Sequence, residues 1–161
     1  MKLAIVIFLI IGVVMALFIN FANNQNLGQN EVTSSNEIIT SDVSDMIPLI
    51  NDENLKIEKE SENYIKAVST FNFQYDVMEL DYEIFKFSSI EEALDKYNSV
   101  KDDYSEYKNT KINLGNEGFG IEKEHSSIVI FRKSNIVIKV LLDGQYSSLE
   151  QTITYAKRVR I

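Results

Sequence analysis

Residues 3–19 form an unbroken run of 17 apolar residues without a charged side chain. A helix over this run is about 25 Å long, and adding residues 20–22 extends it to about 30 Å, the thickness of the hydrocarbon core of a bilayer. A globular helix is rarely apolar all round for this length. Residues 1–22 are therefore predicted to form a transmembrane anchor, and any folded domain must come from the rest of the chain.

The charges that flank this segment predict its orientation. Lys2 and the terminal amine precede it, and no Lys or Arg follows it until Lys56. Positively charged flanks stay on the cytoplasmic side of a membrane. The chain is thus expected to cross the cell membrane once, through residues 3–22, with its N-terminus in the cytoplasm and its C-terminal domain outside.

A cleaved signal peptide is the alternative to an anchor. Signal peptides usually have an apolar core of about 7 to 15 residues, followed by small residues before the cut. The small pair Val14 and Ala16 lies inside the apolar run, and the pair Asn20 and Ala22 places a polar side chain where a small one is needed. We therefore favour an uncleaved anchor, whereas cleavage would make the domain a secreted protein.

Residues 23–44 have the composition of a disordered polar linker. They contain five Asn, two Gln, four Ser and two Thr, and therefore have too few large apolar groups to offset the entropy lost on ordering. As a flexible coil, this linker would span about 25 Å root mean square. Residues 45–161 remain, which is enough chain for one domain with a single hydrophobic core.

Alternating apolar and polar residues predict two long strands in this domain. Along residues 65–75 the alternation indicates a strand with one buried face. A second alternation begins near Val77, but Phe85 and Phe87 fall in the opposite phase to the apolar residues before them. A β-bulge near Ile84 is the expected cause of that switch.

Two helices are expected to pack on the sheet. Ser88 and Ser89 each precede a glutamate by three residues, which predicts a capped helix whose apolar residues then recur at steps of three and four. The final helix is expected to begin at Ser147 or Ser148 for the same reason. Lys157, Arg158 and Arg160 are predicted to lie in its last turn, where the helix dipole favours cations.

The remaining elements complete an α+β fold. Short strands are expected near residues 55–57 and 111–112, and a hairpin over residues 128–142. The segment Gly115-Asn116-Glu117-Gly118-Phe119-Gly120 is expected to be a loop, because three glycines suggest backbone angles closed to other residues. The predicted fold is a mostly antiparallel sheet with two packed helices, in the order β-β-β-α-β-β-β-α and preceded by the transmembrane helix.

Composition excludes several functions. The chain has no cysteine, so disulfides, thiolate zinc sites and cysteine nucleophiles are ruled out. Beyond residue 22 it carries 15 basic and 24 acidic side chains, and this balance opposes nucleic-acid binding. The expected partners are the membrane and an envelope protein.

One histidine invites a catalytic or metal-binding hypothesis. His125 stands beside Glu122 and Glu124, but in a strand both glutamates would face one side of the sheet and His125 the other. No motif for nucleophilic catalysis, phosphate binding or calcium binding accompanies them. We therefore assign no catalytic residue, no metal ligand and no cofactor.

Two short motifs carry a resemblance to a known group of proteins. They are Gly115-Asn116-Glu117-Gly118-Phe119 and Phe131-Arg132-Lys133-Ser134-Asn135-Ile136. The chain from about residue 75 to residue 161 resembles small exported or membrane-anchored proteins of archaea and bacteria with a Gly-Asp-Glu-Gly/Ala-Phe loop and a Phe-Arg-x-Gly-Asn hairpin. Asn116 replaces the usual Asp, and Ser134 replaces the usual Gly. The resemblance implies a fold similar to the PsbP-like α/β sandwich, in proteins that mostly have no assigned activity.

The same motifs supply the candidate binding residues, Glu117, Phe119, Arg132 and Asn135. Asn116 is suited to a left-handed turn, Phe119 can anchor the loop in the core, and Arg132 can pair with Glu117. A binding surface formed by the loop and the hairpin tip is the hypothesis that follows.

The leading functional hypothesis is a non-enzymatic, membrane-tethered extracytoplasmic domain that binds a partner protein, an envelope component or a small ligand. The contrasting hypothesis is a hydrolase or other enzyme that uses paired carboxylates in a cleft, which need no sequence signature. A third hypothesis is an envelope protein with a purely structural role. An enzyme should show a pocket with acidic groups of shifted pKa, whereas an interaction domain should show an exposed apolar or aromatic patch.

Overall fold

Seven strands form one antiparallel sheet in the computed structural model, which describes residues 37–48 and 55–161. Every strand pairing is antiparallel, and the spatial order is β1-β2-β3-β7-β6-β5-β4. The predicted α+β class is confirmed. The strands are β1 (Leu55–Ser61), β2 (Tyr64–Phe73), β3 (Asp76–Lys86), β4 (Thr110–Lys111), β5 (Glu117–Glu122), β6 (Ser126–Lys133) and β7 (Ile136–Asp143).

Three helices accompany the sheet in the described residues: α1 (Val43–Met46), α2 (Ile90–Asp103) and α3 (Leu149–Ala156). The α2 helix begins at Ile90 because the Ser89 hydroxyl accepts a hydrogen bond from the Glu92 amide. In return, the Glu92 carboxylate accepts hydrogen bonds from Ser88. Ser148 caps α3 in the same way by accepting from the Gln151 amide. These caps confirm where both predicted helices begin.

The end of α3 differs from the prediction. The helix ends at Ala156, so Lys157, Arg158 and Arg160 follow it and do not form its last turn. Arg158 lies over the ring of Tyr155 instead, 4.9 Å from its centroid. Since a guanidinium group is attracted to an aromatic face, this contact accounts for part of the basic cluster.

The helices cover both faces of the sheet. One face of β5, β6 and β7 packs against α2, and the other packs against α3, with α1 lying over β2 and β3 on the α3 side. The core on the α2 side contains Ala93, Tyr97, Phe119, Ile121, Ile128, Ile130 and Val137. The core on the α3 side is larger and includes Met46, Ile65, Tyr82, Ile84, Phe131, Ile138, Leu142 and Ala156.

The predicted bulge near Ile84 is wrong. Strand β3 pairs with β2 and with β7 in an unbroken register, and a register shift occurs in β1 instead, between Ile57 and Lys59. The change of phase arises because β3 is covered on both sides. Ile84 is buried on the α3 side, while Phe85 packs on the α2 side, so both phases are apolar in a regular strand.

The predicted glycine loop is also wrong in part. Gly115 does adopt a left-handed conformation with φ of 61°, but Gly118 and Gly120 lie in strand β5. A Cβ atom on Gly118 would lie 3.1 Å from the Phe131 Cβ, and one on Gly120 would overlap the end of the Leu149 side chain. Close packing therefore favours glycine at both positions, and β5 is a strand that the sequence did not predict.

The end of the predicted linker lies on the domain. Val43 in α1 is fully buried, and Ile39 packs against the core on the α3 side. Residues 37–44 therefore belong with the domain, whose boundary the polar composition placed too late.

The predicted transmembrane segment, residues 3–22, lies outside the described residues. Within the part of the chain that the structure does describe, no helix is long and apolar enough to span a membrane.

We predict that Gly120→Ala destabilises the domain by about 1–3 kcal/mol, because the added methyl group overpacks the contact with Leu149. Urea denaturation of both proteins measures the change in the free energy of unfolding. Leu149→Ala makes room at this contact, so Gly120→Ala should cost less in that background. Equal costs in the two backgrounds would contradict the packing explanation.

Candidate functional site

Glu117 and Arg132 form an ion pair at the start of β5. The two residues are directly opposite each other across the β5–β6 pairing, and Arg132 Nε donates to Glu117 Oε1 at 2.7 Å. The Arg132 side chain is mostly buried, with 11% of its surface exposed, whereas Glu117 keeps 35%. The predicted pairing is confirmed, and because the arginine is largely shielded from water, the attraction between the two charges is screened less than in an exposed ion pair.

Two hydrogen bonds of Asn116 join the Gly115–Phe119 segment to the end of β6 and the β6–β7 turn. The Asn116 side-chain oxygen accepts a hydrogen bond from the Ser134 amide at 2.6 Å, and the Asn116 amide donates to the Arg132 carbonyl at 2.8 Å. Ser134 has a φ of 54°, a conformation in which Gly is preferred. An Asp at position 116 and a Gly at position 134 would therefore suit the same geometry, which accounts for both departures from the motifs.

Asn135 is fully buried and joins three segments. Its side-chain oxygen accepts a hydrogen bond from the Ile39 amide at 2.8 Å, and its nitrogen donates to the carbonyls of Phe87 and Ile39 at 2.8 and 3.2 Å. The amide thus satisfies backbone groups that would otherwise lack partners. This places Asn135 inside the domain, away from the surface formed by Glu117.

Phe119 lies in the core on the α2 side with its ring edge-to-face against Tyr97, at a centroid distance of 5.7 Å. These two rings contribute to the wall of a cavity between the end of α2, β4 and the start of β5, which we call the α2–β5 cavity. Its volume is about 490 Å3, within the usual range for small-ligand pockets. Its lining consists of Tyr97, Lys101, Asn109, Lys111, Ile112, Asn113, Leu114, Asn116, Glu117, Gly118 and Phe119.

The α2–β5 cavity has an excess of positive charge. Lys101 and Lys111 line it, and its one carboxylate, Glu117, is neutralised by Arg132. This contrasts with the net charge of −8 for the whole chain. Burial, with a smaller contribution from Glu117, raises the pKa of Tyr97 to about 12, so its hydroxyl is a neutral donor at ordinary pH. The cavity therefore combines exposed cations and amides with two aromatic rings, Tyr97 and Phe119, that are each only 3% exposed.

A second cavity of about 380 Å3 lies between α2 and strands β3, β6 and β7. Glu83 within it accepts a hydrogen bond from Lys139 at 2.8 Å and one from the Tyr64 hydroxyl at 3.4 Å. Asp103 also lines this cavity. Burial raises the pKa of Asp81, but Asp81 lines neither cavity.

Asp81 lies on β3 and is held in a mostly buried position beside Lys66. The closest contact between the two groups is 3.6 Å. Among the described residues, Asp81 is one of two whose side chains have a buried polar atom without a hydrogen-bond partner, its Oδ1. Burying such a carboxylate disfavours its charged form, which explains the direction of the pKa shift.

His125 Nε2 lies 3.7 Å from Glu124 Oε1 on the exposed surface, but Glu122 does not join them in a site. Glu124 and His125 lie in the tight turn between β5 and β6, closed by the hydrogen bond from the Lys123 amide to the Ser126 carbonyl. Glu122 instead accepts a hydrogen bond from the Leu149 amide. Across residues 37–48 and 55–161, no group of three or more His, Asp or Glu side chains is placed to hold a metal ion.

The sequence predicted two residues that line the α2–β5 cavity and did not predict the others. Glu117 and Phe119 were candidates, and both line it. Lys101, Asn109 and Asn113 were not, because they lie in a helix end and in loops without a motif. Their proximity depends on where α2 ends relative to β5, which no local pattern reports.

No protein-family profile, curated protein or solved structure matches this chain.

We predict that Asp81→Asn changes how the stability of the domain depends on pH. A carboxyl group whose pKa is higher in the folded state than in the unfolded state binds its proton more tightly when folded. Its contribution to stability is therefore lost as the pH rises from about 4 through the folded pKa. Urea denaturation at pH 4 and pH 7 should show that the variant gains stability relative to the original protein at the higher pH.

Asp95→Asn is the matched control, because Asp95 is exposed on α2 and its loss reports the removal of one charge. An Asp81→Asn variant with the same relative stability at both pH values would show that burial of Asp81 does not govern this pH dependence.

Proposed function

We propose that this protein is a membrane-tethered extracytoplasmic domain that binds a ligand in the α2–β5 cavity. The observation that carries the proposal is the chemistry of the cavity lining, which the exposed side chains of Lys101 and Lys111 share with the nearly buried rings of Tyr97 and Phe119. Ligand pockets typically combine an apolar body with a few oriented polar groups. The ligand that fits this wall is an anionic group on an aromatic or apolar body.

Each part of the cavity wall has a role in this proposal. The two lysines attract the anion as flexible point charges, and the side chains of Asn109 and Asn113 offer both donors and acceptors. Glu117 is held by Arg132 and is therefore less able to repel the anion. The ion pair acts as a positioning element at the edge of the cavity.

The tether is the second part of the proposal. Residues 3–22 are long and apolar enough to cross a bilayer, and the only charged side chain before residue 23 is that of Lys2. The resemblance to exported and membrane-anchored proteins supports the same location and a PsbP-like sandwich. A helix layer on each face of the sheet is compatible with that architecture.

A carboxylate-based hydrolase has less support. Glu83 and Asp103 share the second cavity, but Glu83 is engaged by Lys139 and Tyr64. The carboxyl group with a raised pKa, Asp81, lies outside both cavities. The criterion of a pocket with two activated acids is therefore not met by these residues.

We predict that 4-hydroxyphenylacetate, a carboxylate on an aromatic ring, binds the full-length chain in lipid vesicles. Saturation-transfer NMR should show contact with the protein, and Lys101→Gln with Lys111→Gln should weaken the apparent affinity by about tenfold, since two cations near the carboxylate are lost.

Lys56→Gln with Lys59→Gln is the matched control, because it removes two exposed lysines from β1, away from the cavity lining. Binding of 4-methylphenol, which lacks the carboxylate, should be much weaker. Equal loss of binding in both double variants, or no binding at all, would refute the cavity as an anion site.

We also predict the position of the domain relative to the membrane. The chain has no cysteine, so a single Glu60→Cys on the exposed edge strand β1 can be labelled selectively. A membrane-impermeant maleimide should label this residue in intact cells that express the full chain, and the labelled protein should sediment with membranes. Labelling only after lysis would contradict an extracytoplasmic domain.

A further inference from the structure

The β2–β3 hairpin ends in an exposed aromatic tip. Tyr75 is 99% exposed, and Phe73 and Val77 beside it are 36% and 58% exposed. Tyr75 lies in the turn itself, whereas Phe73 and Val77 flank it on opposite faces of the hairpin, since Phe73 is opposite Asp76 and Val77 is opposite Asn72. We call these three residues the aromatic tip. A fully exposed tyrosine suits an interaction surface, because Tyr is among the residues that most often dominate binding energy.

Residues that follow β7 contact the base of the aromatic tip. Phe73 is opposite Asp76 in the last pair of the hairpin, and the Phe73 ring lies 6.3 Å from that of Tyr146. The Asp76 carboxylate accepts a hydrogen bond from the Gln145 amide at 2.6 Å. The segment after β7 thus holds the base of the hairpin, so the tip loses little conformational freedom when it docks.

The surroundings of the aromatic tip are acidic. Asp76 is in the tip, and Glu79 is directly opposite Asp143 one strand away. No Lys or Arg occurs between Lys66 and Lys86 or between Lys139 and Lys157, and these two stretches form this end of β2, β3 and β7. An acidic tip is complementary in charge to a cationic pocket.

The α2–β5 cavity is such a pocket, but it lies at the other end of the same sheet. Its Glu117 is opposite Arg132, beside the start of β7, whereas the aromatic tip lies beyond the end of β7. The eight residues of β7 span about 23 Å between first and last. A rigid hairpin cannot bend back over that distance, so the tip of one chain can fill only the cavity of another.

We infer that the aromatic tip of one copy docks into the α2–β5 cavity of a second copy, with Tyr75 entering the cavity and the acidic groups near Lys101 and Lys111. This inference rests on the proposed anion-binding cavity and names its occupant. Tip and cavity are different surfaces, so the contact is heterologous and leaves a free tip and a free cavity at the two ends of each assembly. One hairpin tip makes a small interface, and tethering to a shared membrane raises the effective concentration of the partners.

Cysteine crosslinking of the full-length chain in lipid vesicles tests this contact, since the chain has no cysteine of its own. One tagged copy carries Gln74→Cys at the tip, and a differently tagged copy carries Asn113→Cys in the cavity wall. Both positions are exposed. A short bismaleimide should join the two copies, whereas the pair Gln74→Cys and Glu60→Cys should give little product.

Two variants then test the aromatic tip and the α2–β5 cavity separately. Tyr75→Ser in the tip copy, or Lys101→Gln with Lys111→Gln in the cavity copy, should each lower the yield by about tenfold. Ile57→Ser removes another exposed apolar side chain and should leave the yield unchanged, as should Lys56→Gln with Lys59→Gln.

Free 4-hydroxyphenylacetate should compete with the crosslink. No tip-to-cavity product, or a product between two tips, would overturn the inference. If the probe still binds the cavity in that case, the proposed anion site stands and only its assignment to a second copy falls. If the probe fails to bind as well, both are refuted.

Discussion

Burial of the central strands on both faces is the constraint on which this fold depends. Strand β7 lies fourth of seven in the sheet; Ile138 packs on the α3 side and Val137 on the α2 side. Neither helix alone would remove both faces from water, so β7 needs a helix on each face. This requirement brings α2 over one face and α3 over the other, and the end of α2 is what closes the α2–β5 cavity against β5.

The sequence predicted those elements whose signals are local. Each serine cap, at the start of α2 and of α3, depends on residues only three positions apart, and the alternation along β2 depends on neighbouring residues. The structure contains both caps and the strand. The predicted bulge near Ile84 was wrong because Phe85 gives a strand with two apolar faces the same pattern as a strand with a bulge. The predicted loop at Gly118 and Gly120 was wrong because close packing and unusual backbone angles select the same residue.

The candidate site was predictable to the extent that it follows the chain. Glu117 and Arg132 stand in motifs on paired strands, so their contact followed from the expected hairpin and loop. Lys101 and Asn113 come together only through the placement of α2 on the sheet. The exposure of the aromatic tip was not predicted for a different reason. Phe73 and Tyr75 continue the apolar phase of β2, and alternation alone does not show where a strand leaves the core.

Asn135 gives the domain a mechanical property. It bonds Ile39 at both the amide and the carbonyl, where the N-terminal segment joins the sheet, next to the first residue of β7. Tension along that segment would reach the hydrogen bond between the Ser134 hydroxyl and the Glu37 carbonyl first, and then the two bonds to Ile39, before it reached any strand pairing. Since a few hydrogen bonds yield at a lower load than the long pairing between β3 and β7, a pull on the N-terminal side would release residues 37–39 from Ser134 and Asn135 while the sheet stayed intact.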